Sequence, residues 1–389
     1  MDFTLSEEHR LIQETARRIA KEKIAPRAAE IDETQEYPHD IFAAFRETGL
    51  TGLTIPQQYG GSGAGMLPLA LAVEEAAKYC CASGLMLLLS ALPSQPVIIG
   101  GDERQKQWIG EGIASGSMKG AFCLTEPNHG SDAANLETRA TRDGDDYILN
   151  GEKMYISGGT VADYVVAFAR TNGTPGAKGI SGFLVDTKSP GFRVAGQDRK
   201  MGVRGVPTAD IVFDDCRVPR ENLIGGEEGQ GFNHAMLTLN SCRPVVGARG
   251  LGLAEGAMTY ALEFARKREA FGKPIADLQA IQFMFADMAI QIEAARLLVY
   301  QGAWRVDQGL YDREHAAYLS IAKTYATEVG VKVSSDAMQV LGAQGYMMDH
   351  PLERHYRDAR QLMIVEGTSQ VQLGLIARGV LDHDLWWDA

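Results

Sequence analysis

The sequence predicts a mostly helical α+β fold in which two helical segments flank a β-rich one. Three observations carry this. Apolar residues step by three and four over the first 120 residues and again from about Gly231 onward. Between them, short β-type runs alternate with Gly, Asn and Pro turns, as in an antiparallel barrel or sandwich. No internal repeat, low-complexity tract or long linker divides the 389 residues. At roughly 150 residues per domain that length suits two or three domains, and the order helices–strands–helices gives three subdomains of one body: 1–120, 121–230 and 231–389.

The elements follow in chain order. Leu5, Ile12, Ala16, Ile19 and Ala20 recur at helical spacing, and Pro26 is expected to break that helix. After the turn-rich YGGSGAG at 59–65, helical patterns cover Leu67–Tyr79, the Leu85–Leu89 run and Glu103–Ile109. The apolar stretch Ala82–Pro93 is short of the roughly 20 residues of a membrane span, so it reads as a buried helix or pocket wall. Strands are predicted at Asp146–Leu149, Met154–Ser157, Tyr164–Ala169, Ile180–Val185 and Ile211–Phe213. Long helices return at Asp277–Gln308, Ala316–Leu341 and Leu373–Leu381, the first with Leu278, Ile281, Phe285, Met288, Ile292, Ala295 and Val299 on one face.

Composition narrows the function. The net charge of −12 excludes a whole-surface grip on nucleic acid or anionic membrane. A phosphate-bearing ligand must be held locally, by arginines, glycine loops or helix N-termini. Glycine is abundant, 43 residues against roughly 7% in ordinary proteins, which points to turns and ligand-contacting loops. The five cysteines form no C-x-x-C pair. No disulfide framework or metal site is expected, and a reducing cytoplasm suits the chain. The charged, amphipathic N-terminus does not resemble a signal peptide.

Two segments can carry chemistry. The loop LTEPNHGSD, Leu124–Asp132, follows the apolar run Ala121–Cys123 and presents hydroxyls and backbone N–H groups suited to a phosphate or a polar ring edge. Taken alone it is an ordinary turn, with His129 a surface or supporting residue. Near the C-terminus, Ser369 with Gln372 three residues on forms a capping-box pattern, placing a helix start at Ser369. Glu366 stands just before it, between Val365 and Gly367. Desolvation there raises a carboxyl pKa and suits it to proton abstraction, although a lone glutamate is more often a solvated or capping group.

Taken together, the motifs resemble the acyl-CoA dehydrogenases over nearly the whole chain. The loop at 124–132 is similar to that family's first signature. QVLGAQG at 339–345, Arg357-Asp358-Ala359-Arg360 and EGTSQ at 366–370 are similar to its second. Further matches are Asn150-Gly151-Glu152-Lys153, Gly229-Gln230-Gly231-Phe232, REAFGKP at 268–274 and Ala286-Asp287-Met288-Ala289. The resemblance implies an N-terminal helical domain, a middle antiparallel β-domain and a C-terminal four-helix-type bundle, with FAD between them.

It also implies roles, residue by residue. Glu366 would take the α-proton of an acyl-CoA thioester while the β-hydrogen leaves as hydride to FAD, and electrons pass on to electron-transfer flavoprotein. Cys242, at a position where some relatives carry the base, cannot replace a carboxylate. FAD contacts carry over to Phe122, Leu124, Thr125, Gly130, Ser131, Tyr155, Ile156 and Ser157 on the β-domain side. Arg268, Phe271, Gln279, Gln339, Gly342, Ala343, Thr368 and Gln370 would contribute from the helical side, several of them from a neighbouring subunit. The CoA thioester would meet Ser131, Asn240, Arg243, Val365 and Gly367. Contacts shared between subunits imply at least a homodimer, and a homotetramer in most relatives.

Three departures from the family pattern stand out. Tyr155 replaces the usual tryptophan near the flavin, Ala343 a common glycine, and Val365 a frequent tyrosine before the base. The smaller Val365 widens the acyl pocket and suggests a branched, cyclic or aryl acyl group, or is simply core packing. No arginine occurs in Ala82–Leu92 to pair with a second carboxylate, which argues against a dicarboxylyl substrate. Alternatives of other classes are an acyl-CoA oxidase, an enoyl-CoA reductase direction, a lyase or desulfinase using FAD as scaffold, and a non-enzymatic helical interaction protein.

Overall fold

In the computed structural model, residues 4–382 are described. The N-terminal part holds α1 (Glu7–Ile19), α2 (Ala25–Thr34), α3 (His39–Glu47), α4 (Met66–Ala77), α5 (Cys81–Ala91), α6 (Gln95–Gly100) and α7 (Glu103–Ala114). Ser6 caps α1, its hydroxyl accepting from His9 N–H at 3.1 Å. Pro26 does not break the helix as expected. A π-helical turn, Ala20–Ile24, widens the backbone just ahead of it, and Pro26 sits in the first turn of α2, where its missing N–H costs no helical bond.

Seven strands form the middle sheet: β1 (Gly120–Cys123), β2 (Arg139–Asp143), β3 (Asp146–Ser157), β4 (Tyr164–Arg170), β5 (Ile180–Asp186), β6 (Phe192–Gln197) and β7 (Thr208–Pro219). They run in the order β1-β4-β2-β3-β7-β6, with β5 on β4. Most pairings are antiparallel, but β1 and β2 each lie parallel to β4, because the long excursion through the 124–132 loop returns the chain in the same direction. The two strands predicted at 146–149 and 154–157 are one strand. What reads as an Asn150-Gly151 turn is a β-bulge, and a second irregularity lies between Lys153 and Ile156. Bulges re-aim side chains beside functional sites, and the second one carries Tyr155 at a positive φ of 62°.

The C-terminal part comprises α8 (Gly231–Lys267), a hairpin of β8 (Glu269–Ala270) and β9 (Lys273–Pro274), then α9 (Gln279–Asp307), α10 (Ala316–Leu341), α11 (Leu352–Leu362) and α12 (Ser369–Leu381). The start of α12 agrees with expectation, but its cap is Thr368, whose Oγ1 accepts from Val371 N–H. Gln372 is used elsewhere, as described below.

The two helical segments, far apart in sequence, share a single apolar core running from Ala16 to Leu362. The apolar stretch around α5 and α6, Cys81–Gly100, is consumed by that interior, 83% of it buried. At its centre α8 and α10 are drawn together by small residues. A Cβ on Gly250 would stand 2.6 Å from the carbonyl oxygen of Ala326, so only glycine permits this approach. The consequence is functional: α8 and α10 present Arg243, Arg249 and Lys323 to one interior site. Gly250→Val is expected to force these helices apart and cost about 1–3 kcal/mol, read as a lowered urea midpoint. An unchanged midpoint would show that the contact is not needed.

Candidate active site

The loop after β1 is fixed from beneath by one buried ion pair. Lys153 Nζ, fully buried on β3, donates to Glu126 Oε1 at 2.8 Å and to Leu124 O at 3.2 Å. The Glu126 carboxylate also accepts Thr138 N–H at 2.9 Å and Glu137 N–H. Burial opposes the charge on Glu126, but Lys153 and these N–H donors outweigh it and hold the carboxyl below its usual range. Burial in turn pulls Lys153 down. Met154 N–H donates to Thr125 O at 3.0 Å, tying the loop to the bulged strand. The outer side is open. Nothing lies within 4 Å of a Cβ built on Gly130, Ser131 is exposed, and Tyr155 stands 62% exposed beside them.

The carboxylate predicted as a base sits in the turn between α11 and α12. Glu366 has φ +53° and Gly367 φ +95°. A non-glycine residue in the left-handed region costs about 1–3 kcal/mol and persists only where surroundings over-determine it. Here Gln372 Nε2 donates to Glu366 O at 3.1 Å and Gly367 O at 3.3 Å, and Lys323 Nζ donates to Gly367 O at 2.8 Å. A side chain at 367 would collide with Gln372 Nε2 at 2.2 Å. The turn therefore aims Glu366 inward. The residue as a whole is half-buried, but Oε2 is sealed from solvent and has no hydrogen-bond partner.

Burial pushes the Glu366 carboxyl up to about 7. Arg249, Lys323 and Arg243, in that order, pull against this shift without reversing it. Among the described residues none of these three cations forms an ion pair within 4.0 Å. Arg243 donates to Asn240 Oδ1, and burial lowers it to about 10. Lys323, lowered by burial to about 8, is spent on Gly367 O. The Cys242 thiol is pushed well up by burial and then by Glu366, so it stays neutral and offers no rival base.

The predicted residues fall into two groups. Glu366, Gly367, Val365, Arg243 and Thr368 gather around the α11–α12 turn; the loop residues Leu124, Thr125, Gly130 and Ser131 lie by Tyr155, Ile156 and Ser157. Phe122 packs on Phe168, ring centroids 5.0 Å apart. Asn240 is engaged internally, its amide donating to Tyr311 O and Asp312 O, so it orients Arg243 rather than standing free. The rest are exposed: Arg268, Phe271, Gln279, Gln339, Gly342, Ala343 and Gln370 lie on the outer surface. No hydrogen bond or ion pair joins them to Glu366 among the described residues. Phe271 is 91% exposed at a hairpin tip with φ +54°.

Sequence reasoning missed Lys153, Glu126, Lys323, Gln372 and Arg249. The signals were present. Lys323 is a lysine on the buried stripe of α10, with Leu319 and Ala326. Arg249 is the lone charge in the run Pro244–Ala254. No arginine lies on α5 itself, but Arg249 reaches Cys81 at the start of α5 from α8.

Glu366 is thus a strained, desolvated carboxylate with three cations nearby. Comparison with known proteins gives the family. Residues 6–117, 121–216 and 229–381 match the N-terminal, middle and C-terminal domains of acyl-CoA dehydrogenase. The acryloyl-CoA reductase (NADH) of Anaerotignum propionicum is 42% identical over 383 residues, 98% of this chain and 96% of the relative. Butyryl-CoA dehydrogenase from Megasphaera elsdenii superposes with a TM-score of 0.95 at 38% identity, covering 98% of this chain and 100% of the other. A chain from the structural work on the electron transferring flavoprotein of Acidaminococcus fermentans does so at 0.95 and 41%, with 98% and 100% covered. The chain belongs to the acyl-CoA dehydrogenase family of flavoprotein oxidoreductases.

Lys153→Met leaves Glu126 buried without its counter-charge and should cost about 3–5 kcal/mol. Urea unfolding measures this, and adding Glu126→Gln should recover part of the loss. A near wild-type midpoint for the single variant would contradict the role given to the pair.

Proposed function

We propose that the chain is an FAD-dependent dehydrogenase that removes the α-proton and β-hydride of an acyl-CoA thioester to leave the 2-enoyl-CoA. The observation that carries this is Glu366: an inward-facing carboxylate with an unpartnered, sealed oxygen and a pKa raised by burial to about 7. A base poised near the working pH combines the ionised form with enough basicity for a weakly acidic α-proton. The Glu366 N–H makes no hydrogen bond among the described residues, so it is free to donate to the thioester carbonyl as α-carbanion character develops. Arg243, held by Asn240, supplies positive charge toward the CoA part. Val365 leaves room beside the base for a branched or cyclic acyl group.

The residues present fit FAD. The open cradle at Gly130 and Ser131, the Thr125 hydroxyl and the exposed Tyr155 ring suit a flat ligand with a polar edge. Phe271, exposed and at a positive φ, suits a ring stacked from a second subunit, with Arg268 taking the pyrophosphate and Gln279, Gln339, Gly342, Ala343 and Gln370 completing that side. When bound, FAD would supply a hydride acceptor for the β-hydrogen and a hydroxyl donor. The likeness to the chain studied with an electron transferring flavoprotein supports such a protein as electron acceptor, with Tyr155 on the exposed side. A group with its pKa near 7 gives a proton as readily as it takes one. The reductase from Anaerotignum propionicum accordingly supports the reverse direction with the same residues.

The single chain leaves an apolar stripe uncovered. Phe283, Ile290, Leu297 and Trp304 recur every seven residues on α9, all exposed, opposite the buried Met288, Ile292, Ala295 and Val299. A sustained heptad stripe is a helix–helix seam, which supports a homo-oligomer, dimer or tetramer, whose partner brings the second group of residues to the cofactor. Leu297→Glu is expected to shift the protein to monomer in light scattering and to lose FAD. A variant that stays oligomeric would contradict the seam.

Anaerobic mixing of the FAD-loaded protein with acyl-CoA thioesters should bleach the flavin band. Glu366→Gln should retain FAD and thioester while flavin reduction slows by about 10²–10⁴-fold. Because Glu366 must be ionised to act, wild-type kcat/KM should rise with pH through about 7 and level off above it. Near wild-type reduction in Glu366→Gln would show the base to be misassigned.

A further inference from the structure

Arg249 is among the largest wholly buried side chains of the molecule, 1% exposed. The buried Lys153 meets Glu126, and the half-buried Arg296 and Arg357 meet Glu74 and Asp32, whereas the buried Arg243 and Lys323 are held by neutral oxygens of Asn240 and Gly367. Arg249 meets none within 4.0 Å among the described residues. Only Nη2 is engaged, with Cys81 Sγ at 3.4 Å and Gln361 Oε1 at 3.0 Å, and Nε is buried with no partner. Cys81 is no hidden counterion, since burial raises its thiol to about 12 and keeps it neutral. Removing a guanidinium from water without a counter-charge costs several kcal/mol, so an unpaired one in the interior calls for a partner from outside the chain.

Its place says which partner. Arg249 extends from α8 across Gly84, its Cγ 3.6 Å from where a Cβ there would stand. It ends between the start of α5 and the C-terminal part of α11, the helix that leads into Glu366. The charge it acts on is that of Glu366, and it does so more strongly than Lys323 or Arg243. The base and the guanidinium are thus close enough for their charges to interact, yet form no direct ion pair. An acyl chain whose α-carbon lay at Glu366 would bring its far end within reach of Arg249 only if it ran inward toward the start of α5. When Glu366 takes up the α-proton it becomes neutral, and Arg249 loses a nearby negative charge.

We propose that Arg249 seats an anionic group at the far end of the acyl chain, so that the substrate is a short carboxyacyl-CoA thioester. This rests on the dehydrogenase reading of Glu366 and specifies its substrate class. A carboxylate there fills the empty hydrogen-bonding capacity of Nε and Nη1 and restores charge balance through the proton transfer. A neutral chain of the same length leaves the guanidinium unpaired against alkyl carbon. The widened wall at Val365 adds tolerance for a methyl branch on such a chain.

The test compares kcat/KM of the FAD-loaded wild type for glutaryl-CoA and methylsuccinyl-CoA with that for pentanoyl-CoA. At least one carboxyacyl thioester should be preferred by about 10²-fold or more, as for sites built around a buried polar partner. Arg249→Gln should collapse that ratio toward one, and Arg249→Lys should restore part of it, with flavin content and melting temperature read on both. A wild type that oxidises pentanoyl-CoA as well as or better than both carboxyacyl thioesters overturns the anionic seat, whether or not the variants fold. So does an Arg249→Gln enzyme that slows on all three equally. A flavin bleached by no thioester, with FAD bound, overturns the underlying dehydrogenase assignment instead.

Discussion

The site depends on a carboxylate that is kept buried without a direct counterion. Three cations surround Glu366, yet each is held off it: Lys323 by Gly367 O, Arg243 by Asn240, and Arg249 by Cys81 and Gln361. Were any of them to close into a direct ion pair, the carboxyl would fall back toward or below its ordinary value and lose its basicity. Much of the C-terminal architecture can be understood from this requirement. The left-handed turn aims the side chain, Gln372 and Lys323 clamp the backbone, and the glycine seam between α8 and α10 brings the cations near but not into contact.

A second buried pair works in the opposite sense. Lys153 and Glu126 touch at 2.8 Å, and their purpose is rigidity rather than reactivity. Together with the backbone donors they set the shape of the 124–132 loop from below, leaving its upper face free. The same two ingredients, a carboxylate and a cation out of water, give a structural staple in one place and a carboxyl of raised pKa in the other. Distance decides between them.

Much of this was legible in the sequence. The helix–strand–helix order, α10, the start of α12 and the candidacy of Glu366 all follow from periodicity, capping and the neighbours of one carboxylate. What failed did so for physical reasons. Pro26 and Asn150-Gly151 carry breaker signals, but a π-turn and a β-bulge absorb them, and neither has a local sequence signature strong enough to outweigh proline or glycine. The environment of Glu366 was only half visible. Val365 and Gly367 are neighbours in sequence, whereas Lys323 and Arg249 arrive from other helices. No arginine lies on α5 along the chain, but in space Arg249 reaches its first residue. Arg268, Phe271 and Gln339 are exposed in the single chain, away from the buried carboxylate.

The chemistry proposed for the site rests on the protonation state of Glu366. Infrared difference spectroscopy of the FAD-loaded protein, wild type against Glu366→Gln, follows the carboxyl C=O band of this one residue as pH is varied. A band that disappears with a midpoint near 7 is the predicted result. A midpoint near the ordinary glutamate value of about 4.3 would mean that solvent or a closed ion pair reaches the carboxylate, and would contradict the account of the site.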